Sequence, residues 1–111
     1  MRRLVAITGA SGGVGRATVR EFARRGDRLA LLARGEAGLA GAEAEARELG
    51  ADVLAIAVDV ADADAVAAAI ERIETEMGPI DVLVNVAFTS VFARFEDVTA
   101  AEYKRATEVS Y

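Results

Sequence analysis

Three features of this 111-residue sequence could do chemistry, and the first is Thr8-Gly9-Ala10-Ser11-Gly12-Gly13-Val14-Gly15. Its glycines remove the Cβ atoms that would hold a ligand away from the backbone. With a strand before it and a helix after it, such a turn aims free helix N–H groups at an anion, and a pyrophosphate suits it. A plain flexible turn is the alternative. The second feature is Ala33-Arg34. A guanidinium offers phosphate a fork of donors, and no carboxylate stands beside it to repel the charge. An ordinary surface arginine is the alternative there. The third is a pair of polar residues at the ends of apolar runs: Asp59 before Val60, and Asn85 before Val86 and Ala87. Asp59 could accept from an amino group or cap a turn. Asn85 could tie neighbouring strands together or be a satisfied amide at a strand end.

The absences narrow the chemistry further. There is no Cys and no His, which excludes disulfide scaffolds, Cys/His zinc sites, Cys nucleophiles and Ser-His-Asp triads. The formal charge is −5, unevenly spread. Residues 1–34 hold eight Arg against Glu21 and Asp27, a balance of +6, whereas residues 35–111 hold five basic and sixteen acidic residues, a balance of −11. A basic opening third in an acidic chain suggests a local anionic ligand rather than a nucleic-acid surface. Met1-Arg2-Arg3 precedes an apolar run that is too short for a signal peptide, ending at Thr8-Gly9. No stretch approaches the ~20 apolar residues of a membrane span. The expectation is one soluble, cytoplasmic domain with no membrane or nucleic-acid partner.

Elements to position these residues follow from periodicity. Residues 4–7 form a short apolar run before glycines, as in a buried strand. Residues 14–25 read as a helix with Val14, Thr18 and Phe22 on one face, capped by Gly26. Residues 29–33 give a second strand. Leu39, Ala42, Ala46 and Leu49 line a second helix that Gly50 caps. Residues 53–58 give a third strand. Val66, Ile70, Ile73 and Met77 line a third helix, with Asp62 and Asp64 near its N-terminus, where the helix dipole favours negative charge. Gly78-Pro79 ends it. Residues 80–86 give a fourth strand, residues 87–98 a loop, and the capping box Thr99-Ala100-Ala101-Glu102 starts a fourth helix. Strand–helix alternation with uniformly apolar strands predicts an α/β fold. Its sheet is parallel and doubly wound, covered by helices on both faces.

With these elements in place the sequence resembles the short-chain dehydrogenases/reductases. Thr8, Gly9, Gly13 and Gly15 match that family's Thr-Gly-x-x-x-Gly-x-Gly pattern. Asp59-Val60 falls where the family sets an Asp against adenine. Asn85-Val86-Ala87-Phe88 falls where it usually reads Asn-Asn-Ala-Gly. The resemblance implies a Rossmann-type sheet of four strands in the order 3-2-1-4. It implies a dinucleotide held by Thr8, Gly9, Ser11, Gly12, Gly13, Val14, Gly15, Ala33, Arg34, Asp59, Val60, Asn85, Val86 and Ala87. Ala33 stands where NAD-binding members carry an acid for the ribose 2′-hydroxyl, and Arg34 follows it. The pair therefore favours NADP(H) over NAD(H). The implied reaction is hydride transfer between the nicotinamide and a carbonyl or alcohol. The implied assembly of the complete fold is a homo-oligomer.

The sequence also departs from the family. Val86 and Phe88 replace its second Asn and its Gly, and Phe88 could narrow the site or line a substrate pocket. Ser110 falls where the catalytic tetrad has its Asn, and it is the one weak catalytic candidate. The family's Tyr-x-x-x-Lys is not matched, since Thr107 stands four residues after Tyr103. Residues 1–111 are thus expected to form a partial, truncated NAD(P)-binding domain. It would carry the adenosine-phosphate half, with the outer edge of the fourth strand open. A non-catalytic NADP(H)-binding module and an interaction subunit are the competing readings.

Overall fold

A computed structural model describes residues 2–86 and 91–94. The chain alternates β1 (Leu4–Thr8), α1 (Gly13–Arg24), β2 (Arg28–Ala33), α2 (Glu36–Glu48), β3 (Val53–Ala57), α3 (Ala63–Met77) and β4 (Val82–Asn85). A further strand, β5 (Val91–Arg94), follows. The sheet order is β3-β2-β1-β4-β5, so the four parallel strands stand in the expected 3-2-1-4 order. The fifth strand is a correction. Residues 87–98 were expected to be a loop, yet residues 91–94 run antiparallel along β4, pairing Val82 with Arg94 and Asn85 with Val91. A parallel edge leaves N–H and C=O groups unpaired, and the β-prone Val91-Phe92 step supplies backbone to pair with them. The predicted fourth helix, with Ser110, lies outside the described residues.

Alternation along each strand sends side chains to two cores. Val5, Ile7, Leu29, Leu31, Val82 and Val84 meet Val19 and Phe22 of α1 and Leu39, Ala42 and Ala46 of α2. Leu4, Ala6, Ala30, Leu32 and Leu83 meet Val66, Ala69, Ile70 and Ile73 of α3 on the other face. Each large aliphatic side chain so buried contributes about 1.5–3 kcal/mol. Ala42 and Ala46 of α2 are fully buried, so that helix sits close to the sheet. Two details of the sequence reading change. The buried face of α1 is Gly15, Val19, Phe22 and Ala23 rather than Val14–Thr18–Phe22, because the helix meets the sheet at an angle that turns Val14 outward, 64% exposed. Leu49 is also exposed, lying past the last turn of α2. Gly26 and Gly50 take positive φ at the helix ends as expected. Asp62 caps α3 by accepting from Ala65 N–H at 3.1 Å.

Polar contacts pin the opposite, amino-terminal edge of the sheet. Arg3 forks onto the buried Asp27 through two bonds of 3.1 and 3.0 Å. Leu4 N–H donates to Asp81 at 2.8 Å, and Arg28 donates to the Met77 carbonyl at 2.6 Å. Arg2 pairs with Asp52. Arg2, Arg3 and Arg28 are therefore committed to structure. Among the described residues, no helix is long and apolar enough to cross a membrane.

Candidate functional site

The parallel register brings the carboxyl ends of the strands together. Thr8 lies level with Leu32 on one side and Asn85 on the other, and Ala33 lies level with Ala57. In open α/β sheets, ligands settle beyond this edge, where the strand order reverses. Here that reversal falls between β1 and β4.

The glycine-rich turn spans the gap from β1 to α1. Gly9 turns the chain at φ +70°. Its N–H donates to the Leu32 carbonyl at 2.9 Å, and the next N–H, of Ala10, donates to the same oxygen at 3.3 Å. The start of the turn is thereby fastened to the end of β2. Gly15 meets the turn from above. A Cβ there would lie 1.9 Å from the Gly9 carbonyl oxygen, so only glycine lets α1 come this close. Gly12 and Gly13 differ: a Cβ on either would meet nothing within 4 Å. That open space borders the start of α1, where the N–H groups ahead of Arg16 have no intrahelical acceptor. No side chain caps the turn and no acid stands in it. These are the conditions an anionic group needs, so the residues present fit a dinucleotide's phosphates.

Around the turn, the other strand ends supply the remaining candidates. Ala33 is buried at the end of β2, and Arg34 beyond it is exposed with no hydrogen-bond or ion-pair partner among the described residues. Asn85 Oδ1 accepts from the buried Thr8 hydroxyl at 2.7 Å. This bond ties β4 to β1. Asp59 is exposed and accepts from Ala61 N–H at 2.9 Å through Oδ1, which is a turn-capping role. Val60 and Val86 are half-buried, each packed on one core. Ala87 and Phe88 lie outside the described residues.

A family profile described as short chain dehydrogenase matches residues 3–111. The chain belongs to the short-chain dehydrogenase family. A zebrafish 3-dehydrosphinganine reductase is 37% identical over 96% of this chain and 34% of its own length. A bovine 3-oxoacyl-[acyl-carrier-protein] reductase is 45% identical over 78% of this chain and 35% of its own. Among solved structures, an actinorhodin polyketide ketoreductase variant with NADPH superposes with a TM-score of 0.72 at 33% identity, covering 76% of this chain and 32% of that one. An NAD+-bound xylitol dehydrogenase gives 0.71 at 33% identity, covering 73% and 31%. The chain spans about a third or less of the length of the curated relatives it matches.

Some contacts around the turn were not picked out from sequence. Arg16 and Arg20 of α1 both reach Glu45 of α2, at 3.3 and 3.1 Å, and clamp the two helices together. Burial pushes the Glu45 carboxyl up, but the hydrogen bonds and charges of Arg20 and Arg16 outweigh it and hold the group below its usual value. The Arg16 Nε is buried without a hydrogen-bond partner. Gly38 and Gly41 of α2 face the turn and Arg16, respectively. Their signal was available, because a glycine inside a helix weakens it and so calls for a packing reason.

Proposed function

We propose that this chain carries the dinucleotide-binding part of an oxidoreductase that moves a hydride between a nicotinamide cofactor and a small carbonyl or alcohol. We further propose that it prefers NADP(H) to NAD(H). The observation that carries the preference is Arg34, a guanidinium without a partner among the described residues, set beside the neutral Ala33 at the end of β2. A 2′-phosphate would gain charge-assisted hydrogen bonds there and meet no carboxylate. The bound cofactor supplies the hydride. The chain's own part is to bind and orient: Gly12, Gly13 and the first turn of α1 take the pyrophosphate, and Ser11 stands beside them. Gly9 and Gly15 set the turn's shape, and the exposed Val14 flanks it. Asp59 keeps Oδ2 available for the adenine amino group, and Asn85 holds β4 level with β1.

Relatives named as reductases, and a ketoreductase described with NADPH, support the carbonyl-reducing direction. We propose a cytoplasmic location, and a homo-oligomer for the complete family fold. Calorimetric titration with NADPH and NADH tests it, in the parent and in Arg34→Ala. A hydrogen bond to a charged group is worth about 1.5–3 kcal/mol, or ~10–150-fold in affinity, and the exposure of Arg34 sets the expectation near the lower figure. Equal affinities in the parent, or a ratio unchanged by Arg34→Ala, would overturn the NADP(H) assignment.

A further inference from the structure

Gly38 and Gly41 lie one turn apart on α2, yet their surroundings differ. A Cβ on Gly38 would sit 2.9 Å from Ser11 Cβ, 3.4 Å from the Ser11 carbonyl oxygen and 3.7 Å from Ser11 Cα. Real Cβ atoms do not approach that closely. Ser11 Cβ is the root of its side chain, so no rotamer change moves it aside, and the collision can be relieved only by shifting backbone. A Cβ on Gly41 would meet Arg16 Nη1 at 3.2 Å, which is the far end of a flexible side chain and can swing away.

We propose that Gly38 is a positioning residue for the phosphate-binding turn, its missing Cβ letting α2 press on Ser11 and fix the turn's place. The inference rests on the dinucleotide reading of that turn and extends it to a helix that reading left out. α2 begins two residues after Arg34. The Gly38–Ser11 contact therefore sets the spacing between the two anion-binding elements, the turn on one side and the guanidinium on the other. No residue of α2 need touch the ligand for the helix to govern how well both ends of it are met.

The test compares Gly38→Ala with Gly41→Ala in the same chain, first without ligand. Amide resonances of Ser11, Gly12 and Gly13 shift in Gly38→Ala and stay in place in Gly41→Ala. Gly41→Ala melts at or above the parent, because alanine is the better helix former, whereas in Gly38→Ala the cost of the backbone shift offsets that gain and the midpoint stays near the parent's. NADPH affinity then falls about tenfold in Gly38→Ala, the scale of one weakened charge-assisted hydrogen bond, and stays within about twofold in Gly41→Ala. Unmoved turn resonances, or parent-like NADPH affinity in Gly38→Ala, would overturn the proposal. A parent that binds neither dinucleotide would overturn the proposed function instead, while the ligand-free resonances still decide the role of Gly38. If Gly38→Ala melts well below the parent, adding Ser11→Gly removes the colliding atom. Recovery of the midpoint supports the contact, and no recovery refutes it.

Discussion

Replacing Gly15 with alanine separates the glycines that shape the turn from those that leave it open. The added Cβ would lie 1.9 Å from the Gly9 carbonyl oxygen, 2.8 Å from Gly9 C and 2.9 Å from Ala10 Cα. The oxygen would have to retreat by roughly 1.5 Å to reach an ordinary contact distance. Overpacking of this kind costs about 1–3 kcal/mol. The upper end applies here, because the obstructing atoms are backbone and the N–H groups of Gly9 and Ala10 are both bonded to Leu32. Alanine in a helix offsets about 0.5–1 kcal/mol of that, leaving a net loss of about 2 kcal/mol. For a domain of this size the loss lowers the melting midpoint by about 8 °C. Thermal and urea unfolding of Gly15→Ala and Gly13→Ala, both without ligand, check it. Gly13 opens α1 with nothing within 4 Å of a built Cβ, so Gly13→Ala should melt at or slightly above the parent. A Gly15→Ala chain at least as stable as the parent would refute the close-approach argument.

Two further outcomes follow from the ion pairs. Because Arg20 and Arg16 hold the Glu45 carboxyl below its usual value of 4.5, its contribution to stability is present above that value and is lost as pH falls through the lower, folded-state value. Melting curves from about pH 5 to 3 should therefore fall more steeply for the parent than for Glu45→Gln, and equal slopes would count against the clamp. Arg3→Ala strands the Asp27 carboxylate, whose side chain is only 7% exposed. Discounted for the partial exposure of Arg3, the loss should be about 1–2 kcal/mol by urea unfolding, partly restored by adding Asp27→Asn, and a loss under about 0.5 kcal/mol would refute it.

The parallel strands and their helices were legible because each carries a strong local signal. Val66, Ile70 and Ile73 recur at helical spacing and are all buried on one face. Gly26 and Gly50 mark helix ends that they cap. Legibility failed where tertiary partners decide. Val14 and Thr18 fit a helical stripe as well as Val19 and Ala23 do, and only the angle at which α1 meets the sheet chooses between them. The strand at residues 91–94 pairs with a neighbour close in sequence, but its two β-prone residues, Val91 and Phe92, are too short a signal to separate it from an apolar loop until the edge of β4 is seen. In the site, the turn and Arg34 stand out by residue type. The Asn85 bond to Thr8 depends on register, a long-range property, so its alternatives stayed open in the sequence. The closeness of Gly38 to Ser11 depends on how near α2 comes to the turn, which is again a tertiary property.

The Leu32 carbonyl, which accepts from both Gly9 and Ala10, has a kinetic consequence. Leu32 lies two residues before Arg34, so the turn and the arginine's strand are joined in one piece before any ligand arrives. A dinucleotide bound across them would find its contacts already arranged, and little conformational entropy would be lost in ordering the backbone. Association would then be limited by encounter and orientation rather than by loop closure. Release would wait on breaking the phosphate contacts themselves, so substitutions around the turn should act on residence time far more than on the rate of capture.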